Sequence, residues 1–171
     1  MRKLIILVSV VIILILATGF ILRGINKQSA GNLKPTPTIS NTNLKTFKSS
    51  SAMDFTVQIP QDYDIDEKLT HIDFRNKKDF IGVDRTDASG FNSLKDFLAY
   101  VDDKNKLKLT PTIKELKING QPAITRMEVR GSIRYKMYYI HADNWVYVFS
   151  TKSESLDSDL DQIAQSFKYT P

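Results

Sequence analysis

The chain has 171 residues, no cysteine, a hydrophobic fraction of 42% and a formal net charge of +5. The missing cysteine excludes a disulfide staple, a thiol nucleophile, a thiolate metal site and a lipid-modified N-terminal cysteine. The positive charge sits in the N-terminal part: seven basic and no acidic residues precede residue 52, and seventeen basic then face nineteen acidic residues. A nucleic-acid-binding domain concentrates positive charge on its folded surface, so that class is excluded.

Residues 4–22, LIILVSVVIILILATGFIL, contain no charge. As a helix this stretch spans about 28 Å, close to the ~30 Å hydrocarbon thickness of a bilayer. It exceeds the usual apolar core of a cleaved signal, and its small residues, Ala17 to Gly19, lie inside the run. We read residues 1–25 as a retained signal-anchor; cleavage is the alternative, and a buried soluble helix a lesser one. Arg23, Lys27 and Lys34 outnumber Arg2 and Lys3, which favours a cytoplasmic C-terminal side, whereas the basic start before an apolar run reads as a targeting signal. Export is the reading taken, which places the domain on the extracytoplasmic side of a cell membrane.

Residues 26–53 are rich in Asn, Ser, Thr, Lys and Pro and read as a disordered linker. Residues 54–171 carry almost all the aromatics and read as one globular domain. DFTVQIP alternates Phe55, Val57 and Ile59 and stops at Pro60; HIDFR and DFIGVD are two further strands joined through Asn76, Lys77 and Lys78. In NSLKDFLAYV, Leu94, Phe97, Leu98 and Val101 recur at helical spacing, with Ser93 and Asp96 forming a capping-box-like start. Asn119-Gly120 between apolar runs predicts a tight hairpin.

Two later turns are argued from register. A three-residue loop at Arg130-Gly131-Ser132 sets Val129 opposite Ile133 and Glu128 opposite Arg134, whereas a two-residue loop sets Glu128 opposite Tyr135 and mixes polar with apolar faces. A three-residue loop at Ala142-Asp143-Asn144 pairs His141 with Trp145, Tyr139 with Tyr147 and Met137 with Phe149. The chain closes with a helix whose stripe is Leu156, Leu160, Ile163 and Phe167, capped by Ser155. The expected order is β-β-β-α-β-β-β-β-α, an α+β domain with an antiparallel sheet flanked by helices.

An opening strand ending in IP, the mid-chain helix, the INGQPA hairpin, the aromatic-rich NWVYVFS strand and the closing LDQIAQSFKY together resemble the PsbP-like family over about residues 54–170. The resemblance rests on packing and turn motifs. It implies an α/β/α sandwich and a mostly non-enzymatic role in binding or assembly. The chain departs from the family's frequent Pro-x-x-Trp after the first strand by carrying Tyr63. No metal ligands carry over by position, and no photosynthetic role is implied.

Candidate sites are few. Asp62, Asp64, Asp66 and Asp73 match calcium-loop positions, but Glu67 stands where the sharp turn needs Gly, and a solvated acidic loop is the preferred reading. Asp157, Asp159 and Asp161 fall in the first turns of the last helix, where carboxylates suit its dipole. His71 and His141, the two histidines, have no recognisable nucleophile partner. No glycine loop, nucleophile elbow or other catalytic motif is present, so neither an enzyme nor a cofactor is expected.

The more informative feature is an aromatic strip. In the register argued above, Tyr135, Tyr139, Trp145, Tyr147 and Phe149 share one face beside Arg134 and Lys136. The face is core if the last helix covers it, and a partner or glycan surface if part stays open. The sequence therefore describes a membrane-tethered binding or assembly module with a protein partner. The alternatives are a carrier of a small ligand, lipid or metal ion in a sheet–helix pocket, and a hydrolase with an unrecognised site.

Overall fold

The structure is a computed structural model that describes residues 43–105 and 112–171. The span read at residues 4–22 and the linker up to residue 42 lie outside the described residues. Among the described residues no helix is long and apolar enough to cross a membrane.

In chain order the elements are β1 (Leu44–Lys48), β2 (Phe55–Pro60), β3 (Asp64–Glu67), β4 (His71–Asn76), β5 (Asp79–Asp87), α1 (Leu94–Lys104), β6 (Thr112–Ile118), β7 (Gln121–Arg130), β8 (Ile133–Ala142), β9 (Trp145–Thr151), α2 (Asp157–Gln165) and β10 (Lys168–Tyr169). A 3-10 turn, Glu154–Leu156, leads into α2. One antiparallel sheet runs β3-β4-β5-β9-β8-β7-β6, and a smaller one runs β1-β2-β10.

Among the described residues the fold is thus mostly antiparallel sheet with two helices. The order expected from the sequence lacked β1, β3 and β10. Of these, β1 lies within residues 26–53 and corrects the linker reading there: Leu44–Lys48 is a strand, and Met53 is fully buried. Phe47 packs edge-on against Phe74 at 5.3 Å between ring centroids, and Lys45 Nζ donates to the carbonyls of Gln61 and Tyr63.

The two helices cover opposite faces of the large sheet. On one face, α2 and the small sheet enclose Phe55, Phe74, Ile140, Tyr147, Phe149, Leu160, Ile163 and Phe167. Each such side chain removed from water contributes about 1.5–3 kcal/mol. On the other face, α1 presses Leu94, Phe97 and Leu98 onto Ile124, Met137, Tyr139 and Val146. Its start is as expected: Ser93 Oγ accepts the Asp96 N–H at 3.1 Å. The α2 stripe of Leu156, Leu160, Ile163 and Phe167 is buried, but α2 begins without the Ser155 cap; Leu156 occupies that position with no side-chain hydrogen bond.

Both register arguments are overturned. The turn between β7 and β8 has two residues, Gly131 and Ser132, so Arg130 faces Ile133, Val129 faces Arg134 and Glu128 faces Tyr135. The turn between β8 and β9 is Asp143-Asn144, so Ala142 faces Trp145, Tyr139 faces Val148 and Ile140 faces Tyr147. Two-residue turns match the twist of the paired strands, and the first residue of each, Gly131 and Asp143, has positive φ of 64° and 55°. The objection to such a turn was the mixing of Glu128 with aromatics. That objection fails because Glu128 is buried with cationic partners. The Asn119-Gly120 turn is as expected, with φ of 48° and 87°.

Candidate functional site

The corrected registers split the aromatic strip. Tyr147, fully buried, and Trp145 belong to the α2 face; Tyr135 and Tyr139 belong to the α1 face. Tyr147 donates its hydroxyl to the Met53 carbonyl at 2.7 Å, and burial pushes its pKa up to about 12. Trp145 lies under the Arg85 guanidinium, 4.0 Å from the ring centroid. Arg134 pairs with Asp157, and Lys136 reaches Asp161 at 2.6 Å. The six residues therefore do not form one surface. They tie the sheet to its neighbours on both sides.

The acidic start of α2 is likewise engaged. Asp159 accepts the Tyr63 hydroxyl at 2.6 Å and Asp161 accepts that of Tyr138 at 2.7 Å. Burial, reinforced by these carboxylates, raises both tyrosine pKa values. The calcium-like spacing does not make a loop either. Asp64 and Asp66 lie on β3, and Asp66 is the cross-strand partner of Asp73 on β4. Among the described residues no cluster of His, Asp or Glu has the geometry to hold a metal ion.

What the α1 face does present is a groove of about 410 Å³ between α1 and the sheet. Its floor is a row across adjacent strands, Val148 on β9 with Tyr139 and Met137 on β8, and its wall is Phe91, Phe97, Tyr100 and Val101. Phe91 packs edge-on against Phe97 at 5.3 Å. The size falls in the usual range for small-ligand sites, roughly 300–1,000 Å³. Asp84 lines the β5 end and Arg130 the β7 end.

Under the floor lies a charged network the sequence reading missed. Arg126 is 1% exposed and Glu128 3% exposed, and the two are paired. Arg126 also donates to Asp102 on α1 at 2.9 Å and to the Tyr139 hydroxyl at 3.1 Å; that hydroxyl donates onward to Glu128 at 3.2 Å. Burial opposes the charge on Arg126, but its hydrogen bond to Asp102 and the neighbouring groups outweigh this and raise its pKa. Burial pushes Tyr139 up to about 12. The network pins α1 to the sheet and fixes the ring that forms the floor. An alternating TRMEVR gives no sign that its charged members face inward.

Beside the groove, a polar ladder crosses β3, β4 and β5. Arg75 bridges Asp66 and Asp73 at 3.0 and 2.8 Å. His71 bridges Asp73 at 2.8 Å through Nε2 and Asp84 at 2.7 Å through Nδ1. Burial pulls the imidazole down, and the hydrogen bonds to Asp84 and Asp73 together outweigh it, so the pKa rises. Gly82 is the cross-strand neighbour of Asp73, and a Cβ there would meet the His71 ring at an ordinary contact distance of 3.4 Å.

A second hollow, of about 460 Å³, lies between the start of α1 and the edge strand β6. Of its three charged residues, Lys95 and Glu115 pair at 2.8 Å, and Lys117 is the third.

No protein-family model and no curated protein matches this sequence. Among solved structures, the solution structure of a cyanobacterial PsbP, from Synechocystis sp. PCC 6803, is similar with a TM-score of 0.52 and 13% identity, covering 81% of this chain and 99% of that one. A crystal structure from Bacteroides thetaiotaomicron gives a TM-score of 0.49 at 12% identity, covering 74% of this chain and 48% of that one. A Pseudomonas aeruginosa protein of unknown function gives 0.48 at 14% identity, covering 75% and 99%. The fold is therefore PsbP-like, as the sequence resemblance implied.

Proposed function

We propose that this protein is a non-enzymatic binding module, held at the extracytoplasmic side of a cell membrane by residues 4–22, which captures its partner or ligand in the α1 groove. The observation that carries the reading is the groove itself: an aromatic and aliphatic floor held by a buried ion-pair network, open to solvent and rimmed by charge. Its volume also suits the carrier variant of this reading, in which a small molecule is held. A non-enzymatic role is supported by His71, whose two ring nitrogens are both engaged by carboxylates and so offer no free base. The uncharged run at residues 4–22 and the basic residues flanking it support the tether.

The binding test is a thermal melt of the full chain in lipid nanodiscs against peptides, glycans, lipids and divalent ions. A ligand at a hundred times its dissociation constant adds about 2.7 kcal/mol of stability. A rise in midpoint that Val148→Trp abolishes by filling the groove supports the reading; a flat panel refutes it. The tether is tested by extraction of membranes at alkaline pH and by protease added to intact cells. Release of the intact chain into the wash, or full protection of the domain, sinks the assigned topology.

A further inference from the structure

The two ends of the groove carry opposite charges, and each has unused bonding capacity. At the β5 end, Asp84 Oδ1 accepts from His71, and its Oδ2 has no hydrogen bond or ion pair among the described residues. At the β7 end, Arg130 gives Nε and Nη2 to Glu128, and its Nη1 has no partner among the described residues. The Arg130 guanidinium lies 5.4 Å from the centre of the Tyr135 ring, and Lys152 lies 5.6 Å from the same ring with no carboxylate partner among the described residues. Beside Asp84 the β5 side also carries Thr86, Arg85, which pairs with Asp54, and Asp87, whose Oδ1 accepts the Ser89 N–H; the apolar lining is Val148, Met137, Tyr139 and Phe97 with Phe91, Tyr100 and Val101.

We propose that the groove takes a small dipolar ligand with an apolar body, its cationic group against Asp84 and its anionic group against Arg130 and Lys152. This rests on the reading of the groove as the binding site and names the chemistry of its occupant. Asp84 and Arg130 line the same groove from β5 and β7, so a ligand with a charge at one end alone leaves one of the two unmatched. Complementary charge at both ends fixes orientation as well as affinity. Short apolar peptides with free termini have this chemistry, as do other zwitterions with an aliphatic or aromatic middle.

The test uses the full chain in phosphatidylglycerol nanodiscs, with unfolding followed by the fluorescence of the single tryptophan, Trp145, which packs on the opposite face. The probes are the tripeptide Leu-Phe-Leu with free termini, its N-acetyl, C-amide and doubly blocked forms, and glycerophosphocholine, a zwitterion without an apolar body. The free peptide is expected to raise the midpoint by several degrees, each single block to remove most of that shift, and glycerophosphocholine to give none. Asp84→Asn, which keeps an acceptor for His71, should no longer distinguish the free peptide from its N-acetyl form. Arg130→Gln should no longer distinguish it from the amide. The midpoint of each unliganded variant reports its folding, and Lys152→Gln repeats the anionic-end test without touching Glu128. If the doubly blocked peptide shifts the midpoint as much as the free one, the groove binds but the dipolar assignment falls. If no probe shifts it, the assignment and the groove reading fall together.

Discussion

Arg126 and Glu128 are the residues on which the α1 face depends most. Both are removed from water, and an ion in that position destabilises the fold when its partner is deleted. Glu128→Ala should therefore cost about 3 kcal/mol or more in urea denaturation, because Arg126 would keep only Asp102 and Tyr139. Replacing both members, as Arg126→Met with Glu128→Leu, should restore much of that loss, since a packed apolar pair carries no desolvation cost. His71 makes a different prediction. Its pKa is raised in the folded state, so its contribution is complete below the ordinary value near 6.5 and disappears as the pH rises through the folded value. The midpoint difference between wild type and His71→Gln should be largest in mild acid and shrink toward alkaline pH. Neither cluster was legible in the sequence, because alternation assigns Arg126 and Glu128 to a solvent face, and cross-strand neighbours such as His71 and Asp84 are separated by a turn whose length had to be known first.

Elements with strong local signals were read correctly. The α1 stripe and its Ser93 cap combine helical spacing with a hydroxyl acceptor, and Ser93→Ala should cost about 1 kcal/mol of stability in a denaturant titration. Asn119 was assigned to a turn and proves to do more: its side-chain amide donates to the Phe167 carbonyl at 2.7 Å, joining the β6–β7 hairpin to the chain after α2. Asn119→Ala removes that bond, worth about 1 kcal/mol, and places a residue disfavoured by about 1–2 kcal/mol at positive φ, so a drop of roughly 2 kcal/mol is expected. The elements that escaped notice, β1, β3 and β10, are short strands at sheet edges. There one face or one neighbour is missing, and the period-2 pattern fades: in LKTFK only Phe47 reaches toward the core, as one partly buried ring. The turn lengths failed for another reason. Segregation of polar from apolar residues ranks registers only where charged side chains stay in water, and at the β7–β8 turn Glu128 is buried against Arg126 and Arg130.

At the scale of the described fold, the large sheet divides the buried apolar residues into two unequal cores. The larger unites β1, β2, α2 and β10 with one face, so the earliest strand is part of the main core. Phe47→Ala should accordingly lower stability by about 2 kcal/mol, less than for a fully buried phenylalanine, with a matching fall in the thermal midpoint. The smaller core is α1 with a patch of the opposite face, and its helix is joined to the sheet mainly by Leu94, Phe97, Leu98 and the Asp102–Arg126 contact. Free energy of local opening scales with the contacts that must be given up, so these two cores need not open together. In native-state hydrogen exchange, the amides of α1 should lose protection as one unit, well before those of β8, β9 and α2, and Asp102→Asn should speed their exchange while leaving α2 unchanged. Uniform protection of both helices would show a single cooperative unit. A helix that detaches separately gives the molecule a second timescale, on which the wall of its groove lifts while the remainder of the fold stays closed.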